Sequence, residues 1–247
     1  MSKEVVVVTG ASGFVAQHLI RELQLTAGDW VKEIRLIDRL PFNKFLEYPD
    51  LIPTKFFLAD CADTSALELI LAGCGTVFHL AAKRLQLTLY ADDNEYWHDN
   101  LTGRIAAGRE SSVFMCTKNY LATEALVDQM IASCVPRIIF VGDALSNIPV
   151  GDHIGLSEGI MLDAPTNGSY ILGAYGESKF RAELYVRNAT GQKMHNGATL
   201  SSIMLRPTIL YGEGESTVVP GALKFADFFG SLPLIGGGES GKYQMVR

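Results

Sequence analysis

Residues 5–19 read VVVVTGASGFVAQHL. Four consecutive β-branched residues predict a strand buried on both faces, the kind that lies at the centre of a parallel sheet. A tight turn follows at once. Gly10, Gly13 and Ala16 stand three apart, where a dinucleotide-binding turn has G-x-x-G-x-x-G. Small residues there let the chain reverse, let backbone N–H groups approach a pyrophosphate, and let the following helix lie close to the strand. Ala16 replaces the third glycine, and its methyl fits at the helix–strand contact with a slight displacement of the diphosphate. Phe14–Leu23 then supply a helix whose Val15, Leu19 and Leu23 recur on one face, with its positive N-terminus toward the phosphates.

A glycine turn also marks ordinary loops, so its meaning depends on what surrounds it. Outward from it, Glu33–Asp38 (EIRLID) predicts a second strand that ends in an acid where an adenosine ribose would sit. Asp38 would accept hydrogen bonds from the ribose hydroxyls and repel a 2′-phosphate, with Arg39 offsetting part of that repulsion. Lys55–Ala59 predicts a third strand. Asp60 stands at its carboxyl end beside an adenine pocket, while Asp63 or Thr64 caps the next helix. Thr76–Ala82 (TVFHLAA) predicts a fourth strand, with Ala81 and Ala82 small enough to leave room for a cofactor. His79, alone in an apolar strand, reads as a hydrogen-bonded core residue and not as an acid or base.

Farther along, Lys83 to Ser112 is polar and aperiodic, and is expected to be an insertion or lid, or else a disordered loop. Val113–Cys134 predicts a helix with Cys116, Tyr120, Thr123, Val127 and Ile131 on its apolar face, stopped by Pro136. Arg137–Gly142 is the fifth predicted strand, 148–167 a turn-rich segment, Tyr175–Asn188 a helix, and Leu200–Arg206 the sixth strand, stopped by Pro207. The remainder is compact and irregular, with a helix near Ala222–Phe229 and three glycines at 236–238. Strands alternating with helices predict right-handed βαβ units, hence an α/β fold with a doubly wound parallel Rossmann sheet and helices on both faces. The expected division is a nucleotide-binding domain over 1–206, with 83–112 inserted, and a partial substrate-binding region over 207–247.

Composition narrows the function. The 247 residues carry a net charge of −6 and are 48% hydrophobic, which suits one substantial core and offers no basic face to nucleic acid or an anionic membrane. Cys61, Cys74, Cys116 and Cys134 lack C-x-x-C spacing and sit in apolar segments, so reduced buried thiols are expected, with no metal site and no disulfide. No long apolar run predicts a membrane span, and Met-Ser-Lys-Glu runs straight into the first strand without room for a signal peptide. A cytoplasmic location is the expectation.

Tyr175-x-x-x-Lys179 places a phenol and an ammonium one helical turn apart on one face. A phenol with a pKa near ~10 is a poor base at neutral pH, but a neighbouring cation favours the phenolate, so Lys179 would let Tyr175 exchange a proton with a substrate hydroxyl. Lys179 would also hold the nicotinamide ribose. The pattern alone is commonplace, and it is the position after the fifth strand of such a sheet that makes it informative.

Taken in order, TGASGFVA, LID ending at Asp38, LADCAD, VFHLAA, YGESKFRAE and LRPTILYGEGE resemble the extended short-chain dehydrogenase/reductases. The last two resemble the 3β-hydroxysteroid dehydrogenase/isomerase family in particular. The resemblance implies that Gly10, Gly13, Phe14 and Val15 surround a diphosphate, that Asp38 meets the adenosine ribose and Asp60 the adenine, and that Ala81 and Ala82 border the cofactor. It also implies that Tyr175 and Lys179 are the catalytic pair and that Pro207 lies next to the nicotinamide. The implied activity is oxidation of a secondary 3-hydroxyl of a sterol-like molecule with NAD as cofactor; a homodimer is compatible with it. Three departures stand out. Asp143 occupies the place of the family's Ser or Thr after strand five, with Ser146 nearby; Val113 stands where an Asn is common; and family members continue past GKYQMVR with more of a substrate-binding domain. A catalytically weak, cofactor-binding or regulatory protein is therefore the alternative expectation.

Overall fold

The computed structural model describes residues 2–83, 118–146, 148, 170–231 and 245–246. The expectations for 84–112, for Val113 and Cys116, for most of 148–167 and for the glycines at 236–238 lie outside the described residues.

β1 (Glu4–Thr9) is the centre of the molecule. It pairs in parallel with β2 (Val31–Asp38) on one side and with β4 (Cys74–His79) on the other. β3 (Thr54–Leu58) extends the sheet beyond β2, and β5 (Arg137–Val141) and β6 (Ser201–Leu205) extend it beyond β4. The order is β3-β2-β1-β4-β5-β6, and every pairing is parallel. This is the doubly wound order, whose reversal beside β1 opens a crevice at the carboxyl ends of the strands.

The valines of β1 explain why it is central. Val6 and Val8 point into a cluster with Ile20, Leu23, Ile34 and Leu36, whereas Val7 points the other way into a cluster with Ile37, Leu67, Val77, Leu126, Ile138 and Val186. Each is inaccessible to solvent, and burying such a side chain contributes roughly 1.5–3 kcal/mol. Helix α1 (Phe14–Thr26) covers the first face. Helices α2 (Thr64–Leu71), α3 (Lys118–Ala132) and α4 (Gly173–Ala189) cover the second.

Several local expectations need correction. The core stripe of α1 is Ala16, Ile20 and Leu23, not Val15, Leu19 and Leu23. Gln17 and Gln24 share that buried side because they bond to the loop after β2. The Gln17 amide donates to Asn43 O and accepts from Phe45 N–H, and Gln24 makes the same two-way bond with the Ile52 backbone. Val15 and Leu19 flank the stripe, half-buried. In α3, Leu126 and Met130 join Thr123 and Val127 in the core, while Tyr120 and Ile131 are half-buried.

Pro136 does not stop α3. Cys134, left-handed at φ 57°, does. Its N–H donates to Ile131 O, and Val135 N–H donates to Met130 O, the two bonds of a Schellman stop. β4 ends at His79, three residues before the predicted end, leaving Ala81 and Ala82 beyond the strand.

After β6 come β7 (Ile209–Leu210), paired in parallel with β8 (Met245–Val246), and helix α5 (Val218–Phe229). α5 starts four residues before the predicted position. Pro220 falls in its first turn, where a missing N–H costs nothing.

Candidate functional site

A cleft of about 810 Å³ opens at the carboxyl ends of the strands. Gly10, Gly13, Phe14, Val15, Asp38, Asp60, Ala81, Ala82, Asp143, Tyr175, Lys179 and Pro207 all line it. Residues spread over nearly 200 positions of sequence thus meet around one cavity, because parallel strands deliver their carboxyl ends to the same edge of the sheet.

At the β1 end, Gly10 is left-handed at φ 68°, and a Cβ on it would lie 2.8 Å from the Ala81 backbone. A Cβ on Gly13 would lie 3.0 Å from Gly10 O. Gly13 is also the N-cap of α1 and supplies no side-chain acceptor, so the first-turn N–H groups of α1 face the cleft without a capping side chain. Bare donors at a positive helix end, in a cradle that side chains would fill, fit a diphosphate.

Asp38 is held firmly. One carboxylate oxygen accepts from Ser12 N–H at 2.8 Å and the other from Leu40 N–H at 2.9 Å. Arg39 reaches Asp60 at 3.8 Å, with both side chains about half exposed. Asp63, not Thr64, caps α2, accepting from Ser65 and Ala66 N–H.

Behind the cleft lies His79, 2% exposed. Thr9 Oγ1 accepts from Leu80 and Ala81 N–H and lies 2.7 Å from His79 Nδ1. The other ring nitrogen, Nε2, lies 2.9 Å from Thr123 Oγ1, so each ring nitrogen has a hydroxyl partner. Burial pushes the His79 pKa down to about 3, and the Lys179 charge adds to the effect. Neutral His79 thus helps fix the 80–81 backbone that closes over Gly10.

At the other end stand Tyr175 and Lys179. Lys179 is 5% exposed and donates from Nζ to Val141 O at 3.0 Å. Burial pulls its pKa down to about 8, against the opposing pull of the Asp143 and Glu183 carboxylates. Asp143 follows β5, and its carboxyl accepts from Leu145 N–H at 2.7 Å. Burial raises its pKa, while that hydrogen bond and Lys179 act the other way. Ser146 is fully buried and does not line the cleft. Its Oγ has no hydrogen-bond partner among the described residues.

The sequence reading passed over several cleft residues. Thr208 lines the cleft directly after Pro207, and its buried Oγ1 also lacks a partner among the described residues. Adjacency to Pro207 was the available signal. Glu215 closes another side, its carboxylate accepting from Thr217, Val218 and Val219 N–H at the start of α5. An acid three residues before a helix was the signal there. The same strap crosses α1, where a His18 ring nitrogen lies 2.8 Å from Glu213 O. Among the described residues, no cluster of His, Cys, Asp and Glu could hold a metal ion, and no helix is long and apolar enough to cross a membrane.

With this geometry in hand, comparison with known proteins gives the class. The sequence profile of the 3-beta hydroxysteroid dehydrogenase/isomerase family matches residues 7–240, and the chain belongs to that family. A 3 beta-hydroxysteroid dehydrogenase/Delta 5-->4-isomerase of Vaccinia virus is 25% identical over 215 residues, 84% of this chain and 53% of the viral one. The 2-alkyl-3-oxoalkanoate reductase of Stenotrophomonas maltophilia is 27% identical over 243 residues, 95% of this chain and 59% of that protein. The chain therefore spans little more than half the length of these relatives. Among solved structures, MoeE5 in complex with UDP-glucuronic acid and NAD is 27% identical, with a TM-score of 0.59 over 85% of this chain and 56% of MoeE5. The dTDP-glucose 4,6-dehydratase DesIV of Streptomyces venezuelae, 21% identical with a TM-score of 0.66 over 95% of this chain and 65% of DesIV, shares the fold.

Proposed function

We propose that this chain is the cofactor-binding and catalytic part of an NAD-dependent oxidoreductase acting on a secondary alcohol, the 3β-hydroxyl of a steroid or sterol-like molecule. One observation carries the reading: a single cleft has bare helix N–H groups and the Asp38 carboxylate at one end and Tyr175 and Lys179 at the other. Family membership and the viral relative's steroid activity support it. On this reading residues 1–206 bind the cofactor, and 207–247 contribute part of the substrate region.

Gly10, Gly13, Phe14 and Val15 would hold the diphosphate, Asp38 the adenosine ribose, Asp60 the adenine side, and Ala81, Ala82 and Pro207 the nicotinamide half. When bound, NAD supplies the hydride acceptor. Tyr175 takes the proton of the substrate hydroxyl on its phenol oxygen. Lys179 keeps that oxygen anionic by its charge and steadies the nicotinamide ribose. The Lys179 ammonium is held by Val141 O and is flanked by carboxylates that favour its charged form.

Asp143 supports a second reading, in which the chain binds cofactor and turns over weakly. An ionised carboxylate accepts a hydrogen bond from an alcohol but cannot donate one to the carbonyl oxygen that forms, as a hydroxyl would. Ser146 does not replace it, because it lies buried off the cleft. The deciding experiment records NADH formation against a panel of hydroxysteroids, with this chain and a longer form side by side. Turnover that requires a 3β-hydroxyl upholds the first reading. NADH binding without turnover in either form upholds the second.

A further inference from the structure

Beneath the catalytic end of the cleft, one of the two carboxylates that flank Lys179 is held in an ion pair with Arg206, which the mechanism has not used. Glu183, 1% exposed, stands one helical turn after Lys179 on α4, and Arg206, with its side chain 14% exposed, directly precedes Pro207. The guanidinium is bidentate: Nε donates to one Glu183 oxygen at 2.9 Å and a terminal nitrogen to the other at 2.6 Å. The pair sits where three cleft-forming segments converge. Gly142 N–H donates to Leu205 O and Ala144 N–H to Pro207 O, lacing the end of β5 to the end of β6. A Cβ on Gly142 would come within 3.2 Å of Glu183 Oε2, so the carboxylate fills the space under that backbone.

Stability alone is a poor reason for this arrangement. Desolvating two charges costs about as much as their attraction returns, and apolar residues of similar volume commonly serve a core as well or better. A fixed charge at a fixed place is what the pair provides that apolar residues cannot. Among the described residues the charged or titratable groups that act on Lys179 besides Glu183 are Asp143 after β5 and neutral His79 of β4, and Glu183 is itself faced by Arg187 on its own helix at 4.0 Å as well as by Arg206.

We propose that Glu183 and Arg206 are the positioning pair of the site: Arg206 holds the Glu183 carboxylate in place under Gly142, and Glu183 in turn sets a fixed negative charge one helical turn from the buried Lys179 ammonium, which the neighbouring Val141 O holds. The proposal rests on Lys179 being the functional cation of the preceding reading. Its chain of action is Arg206 to Glu183 to Lys179, so neither member of the pair need touch a ligand.

The test follows the Lys179 side chain itself, by NMR titration of protein with labelled lysine, its signal assigned with Lys179→Arg. Thermal unfolding and NADH affinity are measured beside it. Glu183→Gln removes the charge, and Arg206→Met frees the carboxylate from its bidentate hold while Arg187 stays 4.0 Å from it on the same helix. Glu183→Gln is expected to move the Lys179 midpoint down from about 8 by about one pH unit or more, and Arg206→Met, in which the carboxylate keeps its charge but loses its fixed place, to move it by less. Arg206→Lys keeps the cation and leaves the midpoint near the wild-type value. Glu183→Asp, the variant safest for folding, draws the charge back by one methylene and moves the midpoint the same way by a few tenths of a pH unit. A structural role alone would lower the melting temperature and leave the Lys179 midpoint unmoved in every folded variant, which overturns the proposal. If the midpoint moves as expected but NADH affinity does not follow it, the positioning pair stands and the cofactor role of Lys179 falls.

Discussion

Asp38 gives the most quantitative expectation for the cleft. Its carboxylate is pinned by Ser12 and Leu40 N–H at 2.8 and 2.9 Å, so it cannot swing aside for a bulkier ribose. A 2′-phosphate brought to about 4 Å would meet a repulsion, per unit charge, of about 1 kcal/mol at the dielectric of water and about 4 kcal/mol at the effective value for a protein surface. Arg39 offsets part of this, but its half-exposed guanidinium already reaches Asp60 at 3.8 Å. NADH should therefore bind tighter than NADPH by roughly fivefold to a thousandfold. Asp38→Ala removes the charge and frees two N–H donors that then suit a phosphate, so NADPH affinity should rise as NADH affinity falls. Asp38→Asn keeps one acceptor oxygen and should lie between. Fluorescence titration with both cofactors at low and high salt measures this, and the discrimination should shrink as salt screens the charge. Equal or tighter NADPH binding by the wild type would refute the reasoning, as would an Asp38→Ala ratio that stays unchanged.

Three more outcomes are expected. Tyr175→Phe should keep the fold and NADH affinity and abolish turnover; a near wild-type rate would remove Tyr175 from the mechanism. Asp143→Ser should raise turnover by about tenfold or more, since it restores a hydroxyl that can donate to the developing carbonyl oxygen, whereas a fall in rate would make the carboxyl a working group. His79, with its pKa at about 3 against an ordinary 6.5, should make the fold acid-sensitive. Above pH 6.5 neither state binds its proton; from there down toward 3 only the unfolded chain does, so stability falls by up to about 1.4 kcal/mol per pH unit and levels off below. Urea unfolding of His79→Gln across that window should show a shallower pH dependence, and an identical slope would count against a neutral buried His79.

The sheet and the cleft were legible because their signals are local. A valine run, a glycine turn and an acid at a strand end each act within a few residues, and parallel topology then carries distant strand ends to one place. The elements that escaped depend on partners far along the chain. Gln17 and Gln24 look like solvent-facing residues until the 43–52 loop is present to bond them, and this hid the true core stripe of α1. Pro220 reads as a break until the helix start places it in the first turn. Arg206 and Glu183 are 23 positions apart on a strand end and a helix, and no spacing rule links them. Asp143 was visible as a departure, but that Ser146 stays off the cleft depends on how the segment after β5 folds.

Cys134 leaves the fold a reserve of stability in an unlikely place. The bonds that stop α3 there are backbone bonds, so they need a left-handed residue but no particular side chain. An L-residue in that conformation sets Cβ against a carbonyl oxygen at a cost of about 1–2 kcal/mol, which glycine does not incur. The strain lies in the turn before β5, at the end of the strand remote from the cleft. Cys134→Gly would recover that cost less what the side chain gives by packing on the core and by its thiol 3.3 Å from His195 Nδ1. A gain of this kind, made without touching any residue around the cavity, is what lets a chain tolerate weakening exchanges at Asp38, Asp143 or Glu183 and remain folded while its chemistry changes.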